Sequence, residues 1–164
     1  MEDKNEVIKK MKHSLLDMAF NDILRASGGG SKMGAFILAS CFIDYLTGFY
    51  CGEKANGKHY KSFVRDFLPK YDPDKLYHDL RCGLVHNYSV GQSYVFTDAN
   101  KGGTHFETTM KGLVILNLED FLNDLERAVH DYFKLLENDP KIFDKAYRRL
   151  KKFGILTVGP IEKF

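Results

Sequence analysis

The stretch 33–51, MGAFILASCFIDYLTGFYC, limits the fold more than any other part of this sequence, because its apolar run is broken only by Gly34, Ser40, Asp44, Thr47 and Gly48. A helix that is apolar on nearly every side has to be enclosed, either by other protein elements or by lipid. The small and polar interruptions favour protein, so the segment reads as the buried core helix of a bundle and not as a membrane span. Enclosing it requires amphipathic partners, and the flanking sequence supplies them.

From Glu2 to Ala26, Val7, Ile8, Met11, Leu15, Met18, Ala19 and Leu24 recur at three- and four-residue steps with charges between them, which predicts a long amphipathic helix. It closes at Ser27-Gly28-Gly29-Gly30-Ser31, where glycine can take the left-handed turn and leave a link. A shorter helix carries Tyr60, Phe63, Val64, Phe67 and Leu68 and ends at Pro69. Asp72-Pro73-Asp74 restarts a helix, since Asp caps free amides and Pro suits the first helical position. This fourth helix is expected from about Pro73 to about His86, with Leu76, Tyr77, Leu80 and Leu84 toward the core and Asp79, Arg81 and His86 on the neighbouring face. Over 93–117 the period changes to strand-like, in 94–97, 104–108 and 113–116 with Gly102-Gly103 at a turn, so a small antiparallel hairpin or three-stranded meander is expected. A long helix over 118–137 follows, then one started by Asp139-Pro140 and stopped at Gly154. The expected fold is mainly α: an up-and-down helical bundle with a β insertion, one domain over 1–164, and a tail from 155 apolar enough to dock.

Composition narrows the class. The 164 residues suit one domain, and 44% hydrophobic with 13% aromatic content excludes a disordered or fibrous chain. Lys and Arg exceed Asp and Glu by 24 − 22 = 2, so bulk charge selects neither nucleic acid nor a membrane surface, and any such partner has to read a local patch. Cys41, Cys51 and Cys82 are odd in number and contain no Cys-x-x-Cys, which argues against a disulfide framework or thiolate zinc. The acidic start MEDKNE is unlike a signal peptide, so a cytoplasmic location without membrane contact is expected. His13, His59, His78, His105 and His130 show no metal-ligand spacing, and neither a metal nor a cofactor is assigned. The segment 27–32 lacks the phosphate-loop spacing, and no Gly-x-Ser-x-Gly elbow occurs.

The chemistry-bearing stretch is Leu80-Arg81-Cys82-Gly83-Leu84-Val85-His86-Asn87-Tyr88. Arg81 and His86 are five residues apart, which on a straight α-helix turns about 500°, leaving them roughly 140° apart and about 7.5 Å along the axis. One chain brings them together only if the last turn distorts; two copies facing across a two-fold axis solve the problem differently. The Arg-x4-His motif on a late helix, with the order of helices around it, resembles the HEPN superfamily over most of 1–153. That resemblance implies an all-α domain and a metal-independent endoribonuclease of defence or toxin type. It implies a composite site at a homodimer interface, with His86 as general base toward a ribose 2′-hydroxyl and Arg81 stabilising the phosphate, leaving 2′,3′-cyclic ends. Such a division of labour suits a group that titrates near neutrality beside a permanent cation. Asn87 is placed to orient the phosphate or the imidazole.

Tyr88 matches the Arg-x4-His-x-Tyr form of toxins paired with nucleotidyltransferase antitoxins, in which that Tyr accepts adenylylation; as a plain structural residue it is an interface or core-edge aromatic. The chain departs from the family where Cys82 follows Arg81, since many members carry Asn or Asp there. The alternative is therefore a HEPN-like module without turnover that binds RNA, a nucleotide or a protein. Lys141, Lys145, Arg148, Arg149, Lys151 and Lys152 form the dense basic run on the last helix, with Lys145, Arg148, Arg149 and Lys152 as candidates for RNA backbone contacts. Its plain reading is a solvated face near a helix C-terminus.

Overall fold

The computed structural model describes residues 3–89, 91–98 and 104–155. Helix α1 is continuous through Lys4–Lys12, a π-helical stretch His13–Phe20, and Asn21–Gly28. Helix α2 is Lys32–Cys51 and α3 is Gly57–Phe67. Helix α4 opens at Pro73–Lys75, widens into a π-helix over Leu76–Leu84, and ends as Val85–Asn87. Strands β1 (Tyr94–Thr97) and β2 (Val114–Asn117) follow, then α5 (Leu118–Asn138) and α6 (Pro140–Phe153). The mainly α architecture is the one the periodicity indicates.

The helix starts are built by side chains. Asp72 accepts from the amides of Asp74 and Lys75, and Asp139 from those of Lys141 and Ile142, each beside a Pro in the first turn. Asn56 and Asn117 do the same for α3 and α5, accepting from the amides of His59 and Asp120.

Helix α2 lies in the middle of the bundle, with Phe36, Ala39, Ile43, Leu46 and Phe49 fully buried. It is long and apolar enough to cross a membrane, yet over half of its apolar window is covered by the other helices. Its partners present Val7, Met11 and Leu15 from α1, Tyr60 and Phe63 from α3, Leu76, Leu80 and Leu84 from α4, and Phe121, Leu125 and Tyr132 from α5 to one continuous core. Close approach of α6 is set by Gly48 and Gly52, because a Cβ on Gly52 would lie 3.0 Å from the Lys145 backbone and one on Gly48 would lie 2.7 Å from Arg149 Nε.

The β insertion differs from expectation. Strands β1 and β2 are parallel, with Tyr94 opposite Val114 and Thr97 opposite Asn117. The middle segment makes no regular strand: it meets β2 through an isolated antiparallel bridge, Thr108 to Val114, and through Phe106 N–H to Ile115 O at 2.9 Å. Phe106 is in the left-handed region, φ 69°, which ends any extended run there and turns its ring onto Tyr71, 4.9 Å between centroids. The first strand therefore pairs with the third across a long connection, as parallel pairing demands. The expected Gly102-Gly103 turn, the segment from 156 and the apolar tail beyond it lie outside the described residues.

His105 ties this insertion to the bundle. Its Nδ1 accepts the Asn117 amide at 3.1 Å, so the neutral ring carries its hydrogen on Nε2, 3.2 Å from the Tyr71 hydroxyl, which in turn donates to Asp124 at 3.0 Å. Burial, aided by Lys70 and opposed by Asp120, lowers the His105 pKa below its usual 6.5. The unfolded chain then binds the extra proton more readily, so this group's contribution to stability is complete above pH 6.5 and falls as pH drops below it. Thermal midpoints measured between neutral and mildly acidic pH should decline more for the native chain than for His105→Gln.

Candidate functional site

The sequence places Arg81 and His86 on opposite sides of an ideal helix, and the fold removes that difficulty within one chain. The π-helical stretch Leu76–Leu84 closes i to i+5 hydrogen bonds before giving way to α-helical Val85–Asn87, so the step from Arg81 to His86 falls short of the roughly 500° of a straight α-helix and the two side chains meet. Arg81 Nη1 lies 2.5 Å from His86 Nε2. Because guanidinium only donates, Nε2 is the acceptor in this contact, which assigns the ring hydrogen to Nδ1.

A second contact fixes the guanidinium from below. Arg81 Nε donates to Asp44 Oδ2 at 2.8 Å, with both side chains about a quarter exposed. Partial burial works against the charge on Arg81, and the hydrogen bond and charge of Asp44 more than offset it, so its pKa sits above the usual value. The Tyr77 ring covers one face, 5.8 Å from Arg81 Cζ. Beneath lies the fully buried Tyr60, whose hydroxyl is held neutral chiefly by burial and further by the Asp44 charge. Cys82 interacts with the Tyr77 hydroxyl and the Arg81 guanidinium, so the residue following the arginine does belong to the site.

The end of α4 is shaped by its last residues. Tyr88 closes the helix in the left-handed conformation, φ 49°, a position usually given to glycine, and its side chain is 69% exposed. Its amide reaches Leu84 O at 3.0 Å and that of Ser89 reaches Gly83 O at 3.3 Å. The chain then folds back onto Asp79, a buried carboxylate that accepts the Ser93 amide at 2.6 Å, and a Cβ on Gly91 would fall 2.0 Å from Asp79 Cγ. His86, Asn87 and Tyr88 are thus presented to solvent on a rim backed by the Asp79 contacts.

The basic run is divided by its packing. Lys145 and Arg149 lean inward, with Lys145 Nζ 5.9 Å from the Tyr50 ring and Arg149 Cζ 5.7 Å from Phe49 and 4.2 Å from Phe153. Arg148 and Lys152 face solvent, Lys152 over Phe153 at 5.2 Å. Asp44 and Gly48 are one turn apart on α2, so Arg81, bonded to the first, and Arg149, against the second, approach the same face about 6 Å apart along the helix.

Asp44, Tyr77 and Tyr60 are the members of the site that motif reading misses. A signal for Asp44 exists, since it is the lone charge in an apolar segment and needs a cationic partner. Replacing it strands Arg81: Asp44→Asn should lower stability by about 1–3 kcal/mol in denaturant titration, whereas Tyr88→Gly should be neutral or stabilising because the left-handed turn no longer carries a Cβ. Gly91→Ala should cost at least as much as Asp44→Asn, by forcing Asp79 from its place. No family model, curated protein or solved structure matches this chain, so its site is characterised by this geometry alone.

Proposed function

We propose that the chain is a metal-independent endoribonuclease in which Arg81 and His86 act on one phosphodiester. The observation that carries this reading is the contact between the two side chains at a solvent-facing helix end, with Asp44 holding the arginine. An RNA phosphate competes for the Nη groups of Arg81 while Nε stays on Asp44. As Nη1 turns to the phosphate, it releases His86 Nε2, whose free lone pair takes the proton of the adjacent 2′-hydroxyl. The oxygen attacks phosphorus, the 5′-oxygen leaves and takes a proton from water, and the products are a 2′,3′-cyclic phosphate and a 5′-hydroxyl end, with the His86 proton returned to solvent. Guanidinium charge is already in place where negative charge grows, so little reorganisation is needed. Asn87 lies beside His86 on the same rim and serves as a phosphate or imidazole orienter. Arg148 and Lys152 continue the positive surface, with Lys145 and Arg149 reinforcing it from the α2 side.

In this reading the working form is a homodimer that joins two such rims into one RNA groove, although the juxtaposition of Arg81 and His86 does not require it. Tyr88 projects from that rim and is accessible as an adenylylation acceptor for a partner nucleotidyltransferase. The second reading, an RNA-binding or protein-binding module without turnover, draws on the same hydrogen bond: while Arg81 occupies His86 Nε2, no base is free.

Incubation with total RNA in EDTA separates the two. Cleavage should yield cyclic phosphate ends and fall by about 100-fold or more in His86→Ala and in Arg81→Ala, as expected for loss of a general base or a phosphate clamp. Cleavage untouched by His86→Ala would remove the assignment, and RNA binding without cleavage would select the second reading. Binding should weaken with salt, and the dependence should flatten in an Arg148→Ala, Lys152→Ala variant. Sedimentation at the mass of one chain would remove the dimeric groove.

A further inference from the structure

We propose that Cys51, Glu53 and His59 form a Zn2+ site that clamps the end of α2 to the start of α3. The three residues come from the last turn of α2, the connecting loop and the first turn of α3, and one ligand atom from each lies within 4.8 Å of the other two. Tetrahedral zinc with sulfur, nitrogen and oxygen ligands requires N to O separations of about 3.4 Å and separations to sulfur of about 3.6 Å. His59 Nε2 and Glu53 Oε1 are already 3.4 Å apart, so only the sulfur has to close.

Chemistry and charge fit the same ion. Thiolate, imidazole and carboxylate are a donor set for a borderline-soft divalent cation, and one thiolate plus one carboxylate neutralise two positive charges. The local backbone is preset: Gly52 is in the left-handed region, φ 81°, and turns the chain so that residues 51 and 53 can face one centre. Asn56 caps α3 through the His59 amide, which fixes the start of the helix that carries the imidazole.

Two further observations single the cluster out from an ordinary His–Glu pair. His59 Nδ1 is buried, so Nε2, the ring nitrogen turned toward Glu53, is the one open to a metal. Arg149 Nε is buried without a partner, and it abuts Gly48, whose carbonyl is 3.6 Å from Cys51 Sγ. The two sulfur contacts present, to the carbonyls of Gly48 and Glu53, are both 3.6 Å and weak, so little is lost when the thiol proton leaves. The sequence conceals this site because Cys-x-Glu-x5-His is not a recurring ligand spacing, and the loop turn alone brings its members together.

The test uses the full chain, freed of metal by chelation and then titrated with Zn2+ against a chromophoric chelator and, separately, with Co2+. One equivalent should bind, Co2+ should give the thiolate charge-transfer band and the intense visible absorption of a four-coordinate centre, and Zn2+ should raise the thermal midpoint. Cys51→Ser should abolish the charge-transfer band, while Cys41→Ser and Cys82→Ser retain it. Glu53→Gln, at a side chain that is 61% exposed and so not needed for folding, should weaken Zn2+ binding roughly tenfold or more with an unchanged circular dichroism spectrum. Absence of stoichiometric binding overturns the proposal, as does binding that survives both Cys51→Ser and Glu53→Gln.

Discussion

A single carboxylate inside an apolar helix sets the terms for the rest of the molecule. Asp44 is the one charge in the apolar run 33–51 of α2, the element around which the bundle is built, and at a quarter exposure it needs a cation. Arg81 provides it, and removing either member of such a partly buried pair leaves a charge whose desolvation is no longer compensated. The pair therefore fixes how α4 is rotated against α2. A guanidinium located by folding, before any ligand arrives, is a preorganised positive centre, and its Nη groups are not needed by Asp44, although Nη1 is taken by His86.

The π-helical turn is the second condition. An i to i+5 coil gives poorer packing along the helix than an α-helix and persists where something else stabilises it. Here Leu76, Leu80 and Leu84 stay in the core while Arg81 reaches Asp44, and a regular helix could not satisfy both demands together with the His86 contact. The wide turn satisfies them in one chain. It thereby weakens the geometric case for a composite site made by two chains: dimerisation would add groove and charge, but the contact between Arg81 and His86 forms without it.

The fold's helical part is legible in the sequence because its signals are local. Periodic leucines and aromatics mark the buried faces, and Asp72-Pro73 and Asp139-Pro140 mark starts whose capping bonds are present. What is not legible depends on distant partners or on a departure from regular geometry. A 3.6-residue period describes α1 and α4 well enough to hide their π stretches, since one widened turn moves few side chains off the core. Of the strand pattern over 94–117 the first and third segments form strands, but 104–108 does not, because Phe106 takes a positive φ with its ring on Tyr71, a tertiary contact that alternation of residue types does not encode. At the site the motif marks Arg81, His86, Asn87 and Tyr88, while Asp44, Tyr60 and Tyr77 enter through packing alone.

Electrostatics along α2 connects the two proposals. Residues 41, 44, 48 and 51 form one stripe of the helix, and Arg81 and Arg149 both lie against it; Arg81 lowers and Asp44 raises the Cys41 pKa, while Arg149 lowers that of Cys51, each against a larger upward push from burial. Asp44 neutralises one of the two arginines, and a Zn2+ with the Cys51 thiolate and Glu53 carboxylate makes a cluster that is itself neutral. The positive field that an RNA backbone would meet is thus left to Arg149, Arg148, Lys152 and the outward face of Arg81. A chain with a net charge of only +2 can carry local cationic groups that its bulk composition does not reveal. The metal would act on those groups from behind, by holding the end of α2 on which Arg149 rests, and not by competing with the phosphate for its donors.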